Sequence, residues 1–297
     1  MKNFGQIMDQ VIKAEVKTVS VAVAQDRSVL EAVKKSIEIQ MAKAILVGDK
    51  KEITQIANDL AFSLEDTWII DEPDKNLAAR RAVELVSKGK ADALMKGMVD
   101  TSVILKAVLD KDIGLRTGNV LSHAAVFSVK TYHKMLIVTD AAMNIEPELD
   151  KKRQILENAV GLAHSLGIAR PKCAVICAKE SVSTSMRHTV DAEKLVKLNE
   201  EGIISGCLVG GPFALDNAIS REAALHKGIK HEVAGDADIL LMPQIESGNV
   251  LYKAMTFLAQ AESAGIILGA KAPIILTSRA DSNISKLNSI ALALLHA

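Results

Sequence analysis

Short runs of β-branched and other apolar residues alternate with longer amphipathic stretches almost from end to end, and this alternation constrains the fold more than any other feature of the sequence. It is the pattern left by repeated strand–helix units, in which each buried strand is followed by a helix that returns the chain for the next parallel strand. Strands are predicted at 19–24, 44–47, 68–70, 93–95, 124–129 and 135–139, and again at 174–178, 207–209, 239–242, 266–268 and 274–277. Helices, apolar at three- and four-residue steps, are predicted at 29–40, 52–61, 76–88, 99–109, 152–166, 192–200, 214–226, 250–261 and 284–295. The class is α/β. Between 140 and 151 the pattern breaks, with Asn144, Pro147 and clustered acids. A length of 297 residues, at roughly 150 per domain, then suggests two α/β domains. One comprises 1–140 plus 275–297 and the other 141–274. No Gly/Ser linker separates them, so a small ligand is expected in a cleft between the two.

Composition excludes several alternatives. Acids and bases balance at 36 each, and 5 Phe, 2 Tyr and 1 Trp offer few stacking surfaces, so no nucleic-acid partner is expected. The first 17 residues mix charges with apolar positions at helical spacing, unlike a secretion signal, and the most apolar stretch, 264–276, contains Lys271 and Pro273. No membrane association is expected, and a cytoplasmic location is. Cys173, Cys177 and Cys207 are odd in number, which suits buried free thiols in a reducing compartment. Neither the dinucleotide fingerprint GxGxxG nor the phosphate loop GxxxxGK[ST] occurs, and no His or Cys spacing suggests a metal.

Parallel sheets bind ligands at the carboxyl ends of their strands, and polar clusters follow several predicted strands here. Lys96 and Gly97, with Thr101 at the next helix start, offer a cation, close backbone approach and a hydroxyl to an anion. The alternative is a solvated turn. Arg116, Ser122 and His123 flank another apolar strand, and Asp140 and Asn144 follow a third, where Asp140 can instead cap a helix. Glu246, Gly248 and Asn249 form a loop leading into a helix. The sharpest cluster is Thr277, Ser278, Arg279 and Asp281, followed by a terminal helix. Arg279 can hold a phosphate at two points, and Ser278 and Asp281 can hydrogen-bond or deprotonate a neighbouring group. A capped helix start with a surface ion pair is the structural alternative.

Taken in order, VAVAQD from Val21, AILVGD from Ala44, GKADALMKG from Gly89, GLRTG from Gly114, LSHAAVF from Leu121, TDAAMN from Thr139, DADILLMPQIESGNVLYK from Asp236 and APIILTSRADS from Ala272 resemble the phosphate acetyl/butyryl transferase family over nearly the whole chain. The resemblance implies a fold like that of the isocitrate and isopropylmalate dehydrogenases, two α/β domains around a cleft. It implies reversible transfer of a short acyl group, butyryl or a branched short chain, between coenzyme A and inorganic phosphate. Acyl-CoA and phosphate are then substrates, no further cofactor or metal is needed, and the chain is a homo-oligomer. By the same resemblance Ser278 faces the thiol and Arg279 the phosphoryl group. The family's acetyltransferases place a catalytic Asp seven residues beyond that Ser, where Ser285 stands here, so Asp281 is the nearest carboxylate. The other readings kept open are acetyl as the acyl group, a metal- and nicotinamide-dependent dehydrogenase using Asp236 and Asp238, and a coenzyme A-binding protein without turnover.

Overall fold

The computed structural model describes residues 1–65, 67–277 and 281–297. In chain order the elements are α1 (Phe4–Lys13), β1 (Lys17–Ala22), α2 (Arg27–Glu38), β2 (Ala42–Gly48), α3 (Lys50–Asp59), β3 (Trp68–Asp71), α4 (Lys75–Ser87), β4 (Ala93–Lys96), α5 (Thr101–Val108), β5 (Ser122–Ser128), β6 (Leu136–Thr139), α6 (Leu149–Ser165), β7 (Lys172–Ile176), α7 (Arg187–Glu200), β8 (Leu208–Phe213), α8 (Leu215–Ile219), α9 (Arg221–His226), β9 (Ile239–Leu241), α10 (Ile245–Lys253), β10 (Glu262–Leu268), β11 (Ile274–Ile275) and α11 (Asn283–His296). A π-helical turn, Ala254–Leu258, extends α10. Every predicted strand has a counterpart.

Two compact units result. One comprises residues 4–119 and 264–297, the other 1–3 and 120–263. The chain therefore changes unit at 119/120 and 263/264, whereas the sequence pattern places the crossings at 140/141 and 274/275. The break after Asp140 is a loop inside one unit, because β6 pairs with β9 and β5 with β6.

In the first unit the strands run β3-β2-β1-β4-β11-β10. All neighbours are parallel except β10 and β11, which pair antiparallel through Ile266 and Ile275. Helices α2, α3 and α4 begin at Asp26, Asp49 and Asp74, and each carboxylate accepts two backbone N–H groups of the first turn. In the second unit the order is β5-β6-β9-β7-β8. Here β6, β9, β7 and β8 are parallel and β5 is antiparallel to β6. The purely parallel arrangement expected from the sequence is thus interrupted once in each unit. Alternating apolar runs mark a buried strand but do not carry its direction.

The second core is built on Phe127, Leu136, Val138, Ile176, Phe213, Leu240 and Met242. Beside it lies a buried charge pair. Lys152 of α6, 2% exposed, donates from Nζ to Asp191 Oδ2 of α7 at 2.7 Å and contacts His188 Nδ1 at 3.0 Å. Burial lowers the His188 pKa first, and the neighbouring Lys152 charge lowers it further. The three cysteines are free and buried, and burial pushes the Cys177 thiol up to about 11.

Removing one partner of a buried pair strands the other charge away from water. Asp191→Asn should therefore lower stability by about 3–5 kcal/mol, whereas Glu84→Gln, which breaks exposed pairs to Lys88 and Arg81, should cost at most about 1 kcal/mol. Urea midpoints of the two variants check the contrast; equal shifts would contradict it.

Candidate functional site

Because β1, β4 and β11 are parallel, their carboxyl ends lie on one edge of the first unit, and the residues that follow them come together there. Lys96 ends β4, and its pairing of Leu94 with Ile274 and Met95 with Ile275 sets Thr277 just past the end of β11. A cavity of about 180 Å³ opens at this edge, lined by Asp26, Ser28, Lys96, Gly97, Thr277 and Lys286 among others. Lys96 is 9% exposed, and its Nζ donates to the carbonyls of Gly97 at 3.2 Å and Val99 at 3.0 Å. The Asp26 carboxylate faces the same space, but its Oδ1 accepts from the backbone N–H groups of Ser28 and Val29 and from the Ser28 hydroxyl.

Gly97 serves the protein's own backbone. Its N–H donates to Ala22 O at 2.9 Å and the Met98 N–H to Val23 O at 2.8 Å, tying the end of β4 to the end of β1. A Cβ on Gly97 would stand 2.2 Å from Val23 O. Thr101 is the first residue of α5, half-buried at the same end of the strand layer.

Arg116 is not brought to this edge. Leu115 O accepts from Lys271 N–H at 2.8 Å and Thr117 Oγ1 donates to Gly269 O at 2.6 Å, so the Leu115–Thr117 segment lies beside the 269–272 turn, at the amino ends of β4 and β11. Helix α5 carries the chain from one edge to the other, and Arg116 is exposed there. Sequence proximity groups Arg116 with the strand it precedes, but the contacts of its neighbours hold it beside the 269–272 turn instead. Asp281 is half-buried just before α11, and Ser282 caps that helix, accepting from Ser285 N–H at 3.1 Å. Ser278 and Arg279 lie outside the described residues.

The second unit gathers a matching set at its own carboxyl edge, since β5 enters where β6 and β9 leave. Ser122 and His123 begin β5 and are buried. Asn158 donates to Ser122 Oγ at 2.9 Å, and His123 meets Tyr252 edge-on at 5.8 Å. Asp140 Oδ1 accepts from the N–H groups of Ala142 and Met143, and Oδ2 accepts from Asn144 Nδ2 at 2.7 Å; Asn144 also donates to Leu121 O. Asp140 thus closes a turn rather than capping a helix. The residues Glu246, Gly248 and Asn249 are already in the first turns of α10, which starts five residues before the predicted 250. Pro243 and Gly248 read as loop residues in the sequence, but Gly248 is helical and needed for close approach: a Cβ there would lie 2.3 Å from Asp140 O. Asn249 Nδ2 donates to Ala141 O at 3.2 Å, and Glu246 is exposed. Asp140, Asn144, Gly248 and Asn249 form one packed corner.

Asp236 and Asp238 sit at the amino end of β9, away from this edge. Burial raises the Asp236 pKa, but hydrogen bonds from Lys172, Lys134 and His133 outweigh it and hold the carboxyl well below the usual range. Asp238 pairs with Lys134 at 2.7 Å. Carboxylates held by lysines are poorly placed to take a metal.

Lys286 is the residue that sequence reading passed over. It lies one turn before Ile290 on the buried stripe of α11 and is 2% exposed. A lysine in phase with an apolar stripe is the signal that marks it.

The chain matches the family model described as "Phosphate acetyl/butaryl transferase" over residues 3–80 and 75–294. It is 51% identical over 294 residues to the phosphate butyryltransferase of Clostridium beijerinckii, covering 99% of this chain and 97% of that one. It is 44% identical over 290 residues to the phosphate acetyltransferase of Thermotoga maritima, covering 98% of each. The crystal structure of a branched-chain phosphotransacylase from Enterococcus faecalis V583 superposes with a TM-score of 0.84 at 34% identity, covering 95% of this chain and 99% of that one. This chain therefore belongs to the phosphate acetyl/butyryl transferase family.

Gly97→Ala should push β4 away from β1, lowering stability by roughly 1–3 kcal/mol and displacing Lys96. Gly161→Ala, in a helix where the added Cβ meets no atom within 4 Å, should instead stabilise by about 0.5–1 kcal/mol. Thermal or urea unfolding of both variants checks the opposite signs.

Proposed function

We propose that this chain transfers a short acyl group, butyryl or a branched short chain, reversibly between coenzyme A and inorganic phosphate. The observation that supports it most is the buried cation Lys96 at the cavity where β1, β4 and β11 end, in a member of this family. Acyl phosphate is an activated donor, so the site has three tasks: to bring the thiolate to the carbonyl carbon, to stabilise the oxyanion, and to neutralise the departing phosphate. The sulfur–carbon bond forms, the tetrahedral oxyanion collapses, and the carbon–oxygen bond to phosphate breaks; the thiol proton passes to a base. A thiol of pKa about 8.5 gains from such a base, for which Asp281 is the nearest carboxylate in the sequence cluster. Lys96 and Arg279 take the phosphoryl group, with Gly97 and Thr101 shaping its surroundings, and Ser278 takes the thiol or oxyanion. Ser122, His123, Glu246 and Asn249 are assigned to substrate binding, with Asp140, Asn144 and Gly248 fixing the corner that presents them. No metal or further cofactor enters these steps. We read the two units as the isocitrate/isopropylmalate dehydrogenase type of fold, and the protein as a cytoplasmic homo-oligomer. Among the described residues no helix is long and apolar enough to cross a membrane.

The name of the Thermotoga relative supports acetyl as the second reading; relative kcat/KM for acetyl- and butyryl-CoA decides between them. Thiol release from butyryl-CoA should depend on added phosphate, and no release from any C2 to C6 acyl-CoA would refute the proposal. Arg279→Ala should lose on the order of 100-fold in turnover, because a charge-assisted contact to the departing phosphate is removed, with little change in urea midpoint. Full activity in that variant would refute the assignment.

A further inference from the structure

Two lysines of the first unit are buried against one small cavity, and they differ in how their charges are met. Lys96 is 9% exposed and Lys286 2%. Elsewhere in the chain an equally buried lysine, Lys152, is matched by the carboxylate of Asp191. Lys286 has no such match: its Nζ donates to the backbone carbonyl of Asp281 at 2.6 Å, and no ion pair to it occurs among the described residues. An ammonium carries three donors, so two remain for something that a backbone carbonyl does not replace. A buried charge is tolerated when it is paired and hydrogen-bonded. An anion entering the cavity would supply both the opposite charge and the remaining hydrogen-bond acceptors.

The walls narrow its identity. At about 180 Å³ the space is smaller than pockets that enclose drug-sized ligands, which start near ~300 Å³. It suits a small oxyanion rather than an acyl-CoA body. Ser28 and Thr277 also line it, and two point-charge cations stand against one carboxylate, Asp26, which is itself committed to the start of α2. The lining thus combines two lysines with hydroxyl-bearing side chains, and the register of β4 with β11 sets it at Thr277, just past the end of β11.

We propose that Lys286 is a second phosphate-binding cation of the acyl-transfer site, holding the phosphoryl group of inorganic phosphate or acyl phosphate together with Lys96. The inference rests on the acyl-transfer reading. Its bond to the Asp281 carbonyl ties the bound anion to the residue two before α11.

The test compares Lys286→Met and Lys286→Arg with the unmodified enzyme in phosphate-dependent thiol release, with phosphate and butyryl-CoA varied separately. In Lys286→Met the KM for phosphate should rise tenfold or more while that for butyryl-CoA stays within twofold, and Lys286→Arg should recover part of the loss. Unchanged KM for phosphate overturns the proposal. So does an equal rise in both KM values, the mark of a structural strut, or a rise for butyryl-CoA alone, which would assign the cavity to a phosphate of coenzyme A. As a readout independent of turnover, the thermal shift produced by inorganic phosphate is measured on the unmodified protein and on Lys286→Gln, which keeps a polar side chain of similar reach but no charge. A shift at least halved in Lys286→Gln supports the proposal, and an undiminished shift or none in the unmodified protein overturns it. If the unmodified protein releases no thiol, the functional reading falls, and the thermal shift alone decides whether this cavity takes phosphate.

Discussion

Parallel pairing is the constraint from which the rest of the structure follows. A strand that must lie parallel to its neighbour needs a crossover helix to return the chain, and each crossover leaves its entry loop at the carboxyl ends of the strands. In the first unit this brings Asp26 after β1, Lys96 at the end of β4 and Thr277 after β11 to one place from positions up to 251 residues apart in the chain, the separation of Asp26 and Thr277. In the second unit the same rule brings Asp140 beside Gly248, and the reversed strand β5 adds His123 by entering at that edge. Arg116 is the instructive exception, since it follows a helix rather than a strand and so finishes at the other edge.

Close backbone contact completes what pairing begins. At Gly97 and Gly248 the absent Cβ lets one segment rest on the carbonyls of another, with Ala22 and Val23 below the first and Asp140 below the second. At both joints an added Cβ would strike backbone atoms. Rigid placement is what an acyl-transfer site requires, since holding reactants in a near-attack geometry can contribute roughly 7–11 kcal/mol to lowering a barrier. Buried lysines occur in two settings: Lys152 is paired with Asp191 within the core, and Lys96 and Lys286 line a cavity.

Much of this was legible in the sequence, and the failures have physical causes. Apolar runs such as 44–47 and Ile274–Ile275 announce strands because burial on both faces disfavours polar residues. Direction is invisible in such runs, so the antiparallel pairs β5–β6 and β10–β11 and the unit boundaries were not foreseen. The start of α10 was hidden by Pro243 and Gly248, whose loop preference is overridden by packing against Asp140. Lys286 and Lys152 look like solvated faces of amphipathic helices, and only their phase with the buried stripe separates them from exposed lysines. Lys96 and Gly97 were readable because a cation and a glycine directly follow an apolar strand.

The central claim is that the acyl group passes directly between the sulfur of coenzyme A and an oxygen of phosphate, both bound together, with no acyl group left on the protein. Incubating the enzyme with radiolabelled inorganic phosphate and unlabelled butyryl phosphate tests this most directly. The account predicts that label enters butyryl phosphate only when coenzyme A is present, since only formation of butyryl-CoA frees the phosphate for exchange. Label appearing at a comparable rate without coenzyme A would reveal an acyl-enzyme and contradict direct transfer.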